Sequence, residues 1–107
     1  MAGSLQIRAE GQSFVVASVN GSSSAISCDL GFVPLKARGI NITDGDAEWY
    51  WMRGMDAGMC VSMTSAIASV TSNGVTVMDG SAGTGIGLTL GTSCCEEGKT
   101  FLVLFER

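Results

Sequence analysis

Glycine cuts this 107-residue sequence into short apolar runs, with fifteen glycines against a single proline. That ratio favours many tight turns over stiff linkers. Between the turns the side chains alternate with period two, the pattern of a half-buried strand. Leu5, Ile7 and Ala9 alternate with Gln6, Arg8 and Glu10. A turn at 11–13 leads into 14–19, a run rich in β-branched residues that ends at Asn20-Gly21. Both members of that pair tolerate positive φ, so it reads as a turn. Residues 22–30 return as a strand with Ile26, Cys28 and Leu30 on one face. Pro34 holds Val33 extended, and 35–43 form the next strand. Residues 47–52 fit a strand or a helix; two tryptophans, a tyrosine and their alternation favour the strand. Residues 56–68 are ambiguous. Met55, Met59 and Met63 recur at a helical spacing of four, yet Gly54 and Gly58 each cost a helix about 1 kcal/mol relative to alanine. The expectation there is irregular structure with at most a short helical turn. Asn73-Gly74 between two β-rich runs reads as a hairpin. Residues 80–87 are a glycine-rich loop, 88–90 a short strand, 91–98 a loop and 99–106 the last strand. Together these predict one all-β domain over residues 1–107, a β-sandwich or jelly-roll of about seven to nine short antiparallel strands. Residues 1–4 read as a flexible or partner-contacting arm.

The chemistry tests mostly exclude. The sequence has no histidine, which removes the commonest general base and the commonest metal ligand. A serine triad is therefore excluded, and a cysteine nucleophile lacks its usual base. Gly98-Lys99-Thr100 resembles the end of a phosphate loop, but position 93 is serine and a strand follows where the motif needs a helix. Asp44, Asp46 and Glu48 alternate like the start of a calcium loop, but Trp49 and Met55 occupy the places of the required glycine and glutamate. The four cysteines contain no Cys-x-x-Cys spacing and read as reduced, buried, small apolar residues. No metal, cofactor or catalytic residue is expected, and the chain reads as a non-enzyme.

Net charge is -4 and the six basic residues are scattered, so no nucleic acid is expected as a partner. The longest apolar run, 101–105, falls far short of the roughly 18 residues of a membrane span, so no membrane is expected either. The N-terminus lacks the layout of a signal peptide. Two features remain. Lys36 and Arg38 share one strand face, either as a solvated face or as a small patch for an acidic protein. Residues 49–52 are the densest cluster of large side chains, with Trp49 and Trp51 on one strand face and Tyr50 and Met52 on the other. A thin sandwich buries one face more easily than both, so one set is expected to meet a neighbouring subunit. The candidate interface comprises Trp49, Tyr50, Trp51, Met52, Arg53, Met55, Met59, Met63, Lys36 and Arg38. Trp, Tyr, Met and Arg are enriched in interface cores.

The order of several short stretches carries a resemblance. They are 30–34 (Leu-Gly-Phe-Val-Pro), 41–45 (Asn-Ile-Thr-Asp-Gly) and Glu48-Trp49 with its methionine-rich sequel. Then come 72–76 (Ser-Asn-Gly-Val-Thr), Asp79-Gly80, 87–91 (Gly-Leu-Thr-Leu-Gly) and the aromatic strand 101–105 closing on Glu106-Arg107. From about residue 14 onward this order resembles small all-β virion proteins of tailed bacteriophages, of the head decoration or cement type. The four cysteines and Trp51 depart from that pattern. The resemblance implies a non-enzymatic protein that stabilises a capsid through protein–protein contacts. It implies the major capsid protein as partner, a homotrimer or other homo-oligomer, and a place on the virion surface after synthesis in the host cytoplasm. The alternative it leaves open is a tail or tail-fibre-associated module that recognises the host.

Overall fold

Period-two alternation becomes nine antiparallel strands. A computed structural model describes residues 4–11, 13–45, 48–63, 67–80 and 85–107. The strands are β1 (Ser4–Glu10), β2 (Phe14–Asn20), β3 (Ile26–Asp29), β4 (Lys36–Asn41), β5 (Glu48–Met52), β6 (Met59–Met63), β7 (Ile67–Asp79), β8 (Ile86–Leu90) and β9 (Thr100–Glu106). There is no helix among the described residues. The all-β class expected from the sequence is what the structure shows. All nine strands join one sheet in the order β1-β2-β9-β4-β5-β6-β7-β8-β3. The sheet rolls until its two edge strands, β1 and β3, approach one another. The result is a small, nearly closed barrel-like shell.

The shell is filled by matching large and small side chains along rows that cross the strands. Val15, Phe105, Ala37 and Trp51 form one inward row, and Ala17, Val103, Gly39 and Trp49 the next. Ala37 and Gly39 are small because a tryptophan sits beside each. A Cβ on Gly39 would lie 2.3 Å from the Trp49 indole nitrogen. From the far side of the sheet Ile26, Cys28, Leu88 and Leu90 complete the same core. Cys94 and Cys95, between β8 and β9, plug one end and are fully buried.

Several expectations need correction. Asn73-Gly74 does not turn a hairpin. It lies inside the thirteen-residue β7, with Asn73 at φ 58, where the register against β6 jumps from Val75 at Met59 to Val70 at Cys60. The positive φ that the pair tolerates serves a bulge rather than a turn. That bulge lets three segments touch through their backbones: Gly74 N–H donates to Gly58, and Gly91 N–H donates to Gly74. Residues 59–63 are strand β6, not irregular or helical; a spacing of four is even, so Met59 and Met63 share a strand face as readily as a helix face. The Asn20-Gly21 turn does not return the chain onto β2, because β3 pairs with β8. The first strand also differs. A bulge between Ile7 and Ala9 moves Ala9 to the other face, and Ile7 stays 47% exposed. Of the arm expected at 1–4, residues 1–3 lie outside the described residues. Ser4 opens β1 and its hydroxyl accepts from the Asn20 amide at 2.9 Å.

Candidate functional site

The outer face of the β9-β4-β5-β6 region brings together most of the residues singled out in the sequence. Register fixes them in rows. Leu104, Arg38, Tyr50 and Val61 lie side by side, flanked by Leu102, Ile40, Glu48 and Met63 on one side and Glu106, Lys36 and Met52 on the other. Between them runs a groove of about 300 Å³ whose lining includes Arg38, Tyr50, Met52, Met55 and Leu104. Apolar side chains on this face are exposed: Met52, in the groove, at 55%, and Ile40 and Leu102, in the next row, at 37% each.

The charges on this face are already paired. Lys36 Nζ lies 3.6 Å from Glu106, and Arg38 lies 3.1 Å from Glu48. Tyr50 donates its hydroxyl to the other Glu48 oxygen at 2.5 Å, while the Arg38 guanidinium stands 5.4 Å from the Tyr50 ring centre. The Tyr50 hydroxyl, and after it Arg38, hold the Glu48 carboxyl below its ordinary pKa. The same hydrogen bond to Glu48 raises Tyr50. Exposed pairs of this kind add little to fold stability. Their effect is to leave the charges of this grooved face partly neutralised, which lowers the desolvation cost of covering it.

Not every expected residue belongs here. Trp49 and Trp51 are buried at 1% and 2%; they are core residues, because their side of β5 faces Gly39 and Ala37. Trp49 donates its indole N–H to the Cys94 carbonyl at 3.0 Å. Arg53 is engaged by its own chain: it donates to the carbonyls of Val33 and Pro34, fixing the segment that leads into β4. Met59 and Met63 are half-buried on β6, outside the groove. Within the acidic triplet, Asp46 lies outside the described residues, Asp44 pairs with Lys99 at 2.6 Å and Glu48 pairs with Arg38. Among the described residues no group of three potential ligands is placed to hold a metal.

Ile40, Leu102, Leu104 and Glu48 were missed as surface candidates. One signal for them exists in the sequence. Residues 101–105 are apolar at every position, not at every second one, which on a strand asks for cover on both faces. The core covers Phe101, Val103 and Phe105. The outer pair remains uncovered.

A second cavity, of about 440 Å³, lies against the connection from β8 to β9. Trp49, Ser62, Val70, Thr92, Ser93 and Phe101 are among its lining. Compared with family models, curated proteins and solved structures, the chain matches none of them.

Proposed function

We propose that this chain is a non-enzymatic assembly protein that docks the outer face of β9-β4-β5 onto another protein surface. The order of its sequence stretches, which resembles head decoration proteins of tailed phages, makes a viral shell the surface of choice. The observation that carries the docking is the pairing of Ile40 with Leu102, both exposed, on one side of the Tyr50 and Leu104 row, with the groove and exposed Met52 on the other. Apolar residues set among pre-paired charges match the make-up of an interface core with a polar rim. Flexible thioethers at Met52 and Met55 suit a surface that must accommodate small mismatches. On this reading the major capsid protein is the partner and the protein acts by buried area, with roughly 800 Å² per partner needed for a specific contact.

The test uses variants that leave the core untouched. Met52→Glu and Leu102→Glu place a charge on the outer face, where neither side chain is buried. Both are expected to fold like the wild type by circular dichroism and thermal melt. Both should lose co-sedimentation with undecorated phage heads by at least tenfold, since burying an unpaired charge costs well over 1.4 kcal/mol. Undiminished binding by both variants would remove this face from the interface.

A further inference from the structure

The four cysteines are not equivalent. The Cys95 thiol donates to the carbonyls of Leu90 at 3.3 Å and Gly91 at 3.1 Å, so it is satisfied by backbone. Cys28 is pushed up to about 12, first by burial and then by Cys95, which leaves it unreactive. Cys60 and Cys94 instead have each other: their sulfurs are 3.5 Å apart, with 34 positions of chain between them. Both are fully buried. A disulfide needs about 2.05 Å between the sulfurs, so closing it asks each side chain for well under 1 Å of travel. Cys60 is on β6 and Cys94 on the connection before β9, so the bond would join two segments that are distant in sequence.

The 440 Å³ cavity is lined by residues next to this pair, though by neither cysteine itself. Val70, in its lining, is the cross-strand partner of Cys60. Ser93 precedes Cys94, and Trp49 is hydrogen-bonded to the Cys94 carbonyl. Ser62, Thr92 and Ser93 supply hydroxyls to the cavity lining, and Glu48 and Glu96 supply carboxylates.

We propose that Cys60 and Cys94 are an oxidisable pair that hydrogen peroxide, arriving through this cavity, closes into an intramolecular disulfide. Cys60 is the nucleophile. The hydrogen bond with Cys94 holds it below the ordinary thiol pKa, against the effect of burial. The same hydrogen bond, followed by burial, pushes Cys94 far up. In the first step the Cys60 thiolate attacks one peroxide oxygen; the O–O bond breaks, Cys60 becomes a sulfenic acid and hydroxide leaves, taking a proton to become water. In the second step the Cys94 sulfur attacks the Cys60 sulfur, the S–OH bond breaks, and a second water forms with the Cys94 proton. Two thiols are oxidised and one peroxide is reduced to two waters.

The experiment treats the folded, fully reduced protein with hydrogen peroxide, quenches, denatures and alkylates. The expected result is loss of two of the four thiols and a Cys60–Cys94 linked peptide on non-reducing digestion. The melting temperature should rise by on the order of 10 °C and fall back on reduction. In Cys94→Ser the reaction should stop at a Cys60 sulfenic acid, which dimedone captures. Thr92→Trp, which adds bulk to the lining of the cavity, should slow the wild-type reaction several-fold. Four surviving thiols after treatment, or a linked peptide joining Cys28 or Cys95, would overturn the pair. An unchanged rate in Thr92→Trp would overturn the route. Wild-type mapping alone decides the pairing should a variant fail to fold.

Discussion

Gly39→Ala adds one carbon at the position where two strands and a tryptophan meet. The new Cβ would lie 2.3, 2.4 and 2.7 Å from Nε1, Cε2 and Cζ2 of Trp49, so the indole must retreat by about 1 Å to reach ordinary contact. Trp49 is 1% exposed and has nowhere to retreat without displacing its neighbours, an overpacking cost of about 1–3 kcal/mol. The retreat also strains the 3.0 Å hydrogen bond to the Cys94 carbonyl, and leaving that carbonyl unpaired costs about 1–3 kcal/mol more. Replacing a strand glycine offsets roughly 0.5–1 kcal/mol through the unfolded chain. The net loss is about 3 kcal/mol. In urea unfolding followed by tryptophan fluorescence, that moves the midpoint down by roughly 1–2 M at the slope of a small domain. The same change made in a Trp49→Leu background should cost less than about 1 kcal/mol, because the clashing atoms are gone. A Gly39→Ala protein within about 0.5 kcal/mol of wild type would refute the seating of Trp49 on Gly39, and with it the row-by-row account of the core.

Other outcomes follow from the same geometry. Trp49→Phe keeps an aromatic ring but leaves the Cys94 carbonyl without its indole donor, and should lower stability by about 1–3 kcal/mol in the same urea assay. Gly91→Ala pushes a Cβ to 2.3 Å from the Asn73 carbonyl oxygen, backbone that cannot step aside, and should destabilise by about 2 kcal/mol or more, whereas Asn73→Gly, which keeps the φ 58 bulge, should cost under about 1 kcal/mol. Glu48 titrates below its ordinary value; a depressed carboxyl contributes above its unfolded pKa and loses that contribution as pH falls through the folded one. The proposed docking, if it depends on the Glu48–Arg38 pair, should be unaffected near neutral pH and weaken only in acid, below the ordinary carboxylate range, and Glu48→Gln should remove that acid weakening from a co-sedimentation titration.

Strands such as β2, β3 and β9 were legible because their inward faces are apolar at every second residue. The two β-rich runs 14–19 and 101–105 do pair with one another, as β2 and β9. What was not legible depends on contacts far apart in sequence. Asn73-Gly74 announces positive φ, but whether that φ makes a turn or a bulge is decided by Gly58 and Gly91 closing over it. Alternation in 5–9 promised a buried face, but an edge strand at the end of a rolled sheet has little beneath it, and a bulge reverses its faces midway. The pairing of faces at 49–52 was readable, while the choice of which face goes inward was not. Gly39 and Ala37 decide it by leaving room for Trp49 and Trp51 alone. Leu102 and Leu104 were legible in principle, as apolar residues in a strand whose other face already fills the core.

The claim that matters most is that the protein works by covering a repeated protein surface with the β9-β4-β5 face. Quantitative mass spectrometry of phage particles assembled in the presence of this chain, combined with residue-level cross-linking, tests the proposed role directly. The expected result is a copy number in fixed proportion to the major capsid protein, with Lys36 on the outer face cross-linked to that protein. A chain present in only a few copies and cross-linked to tail components, or one absent from the particle, would contradict the account.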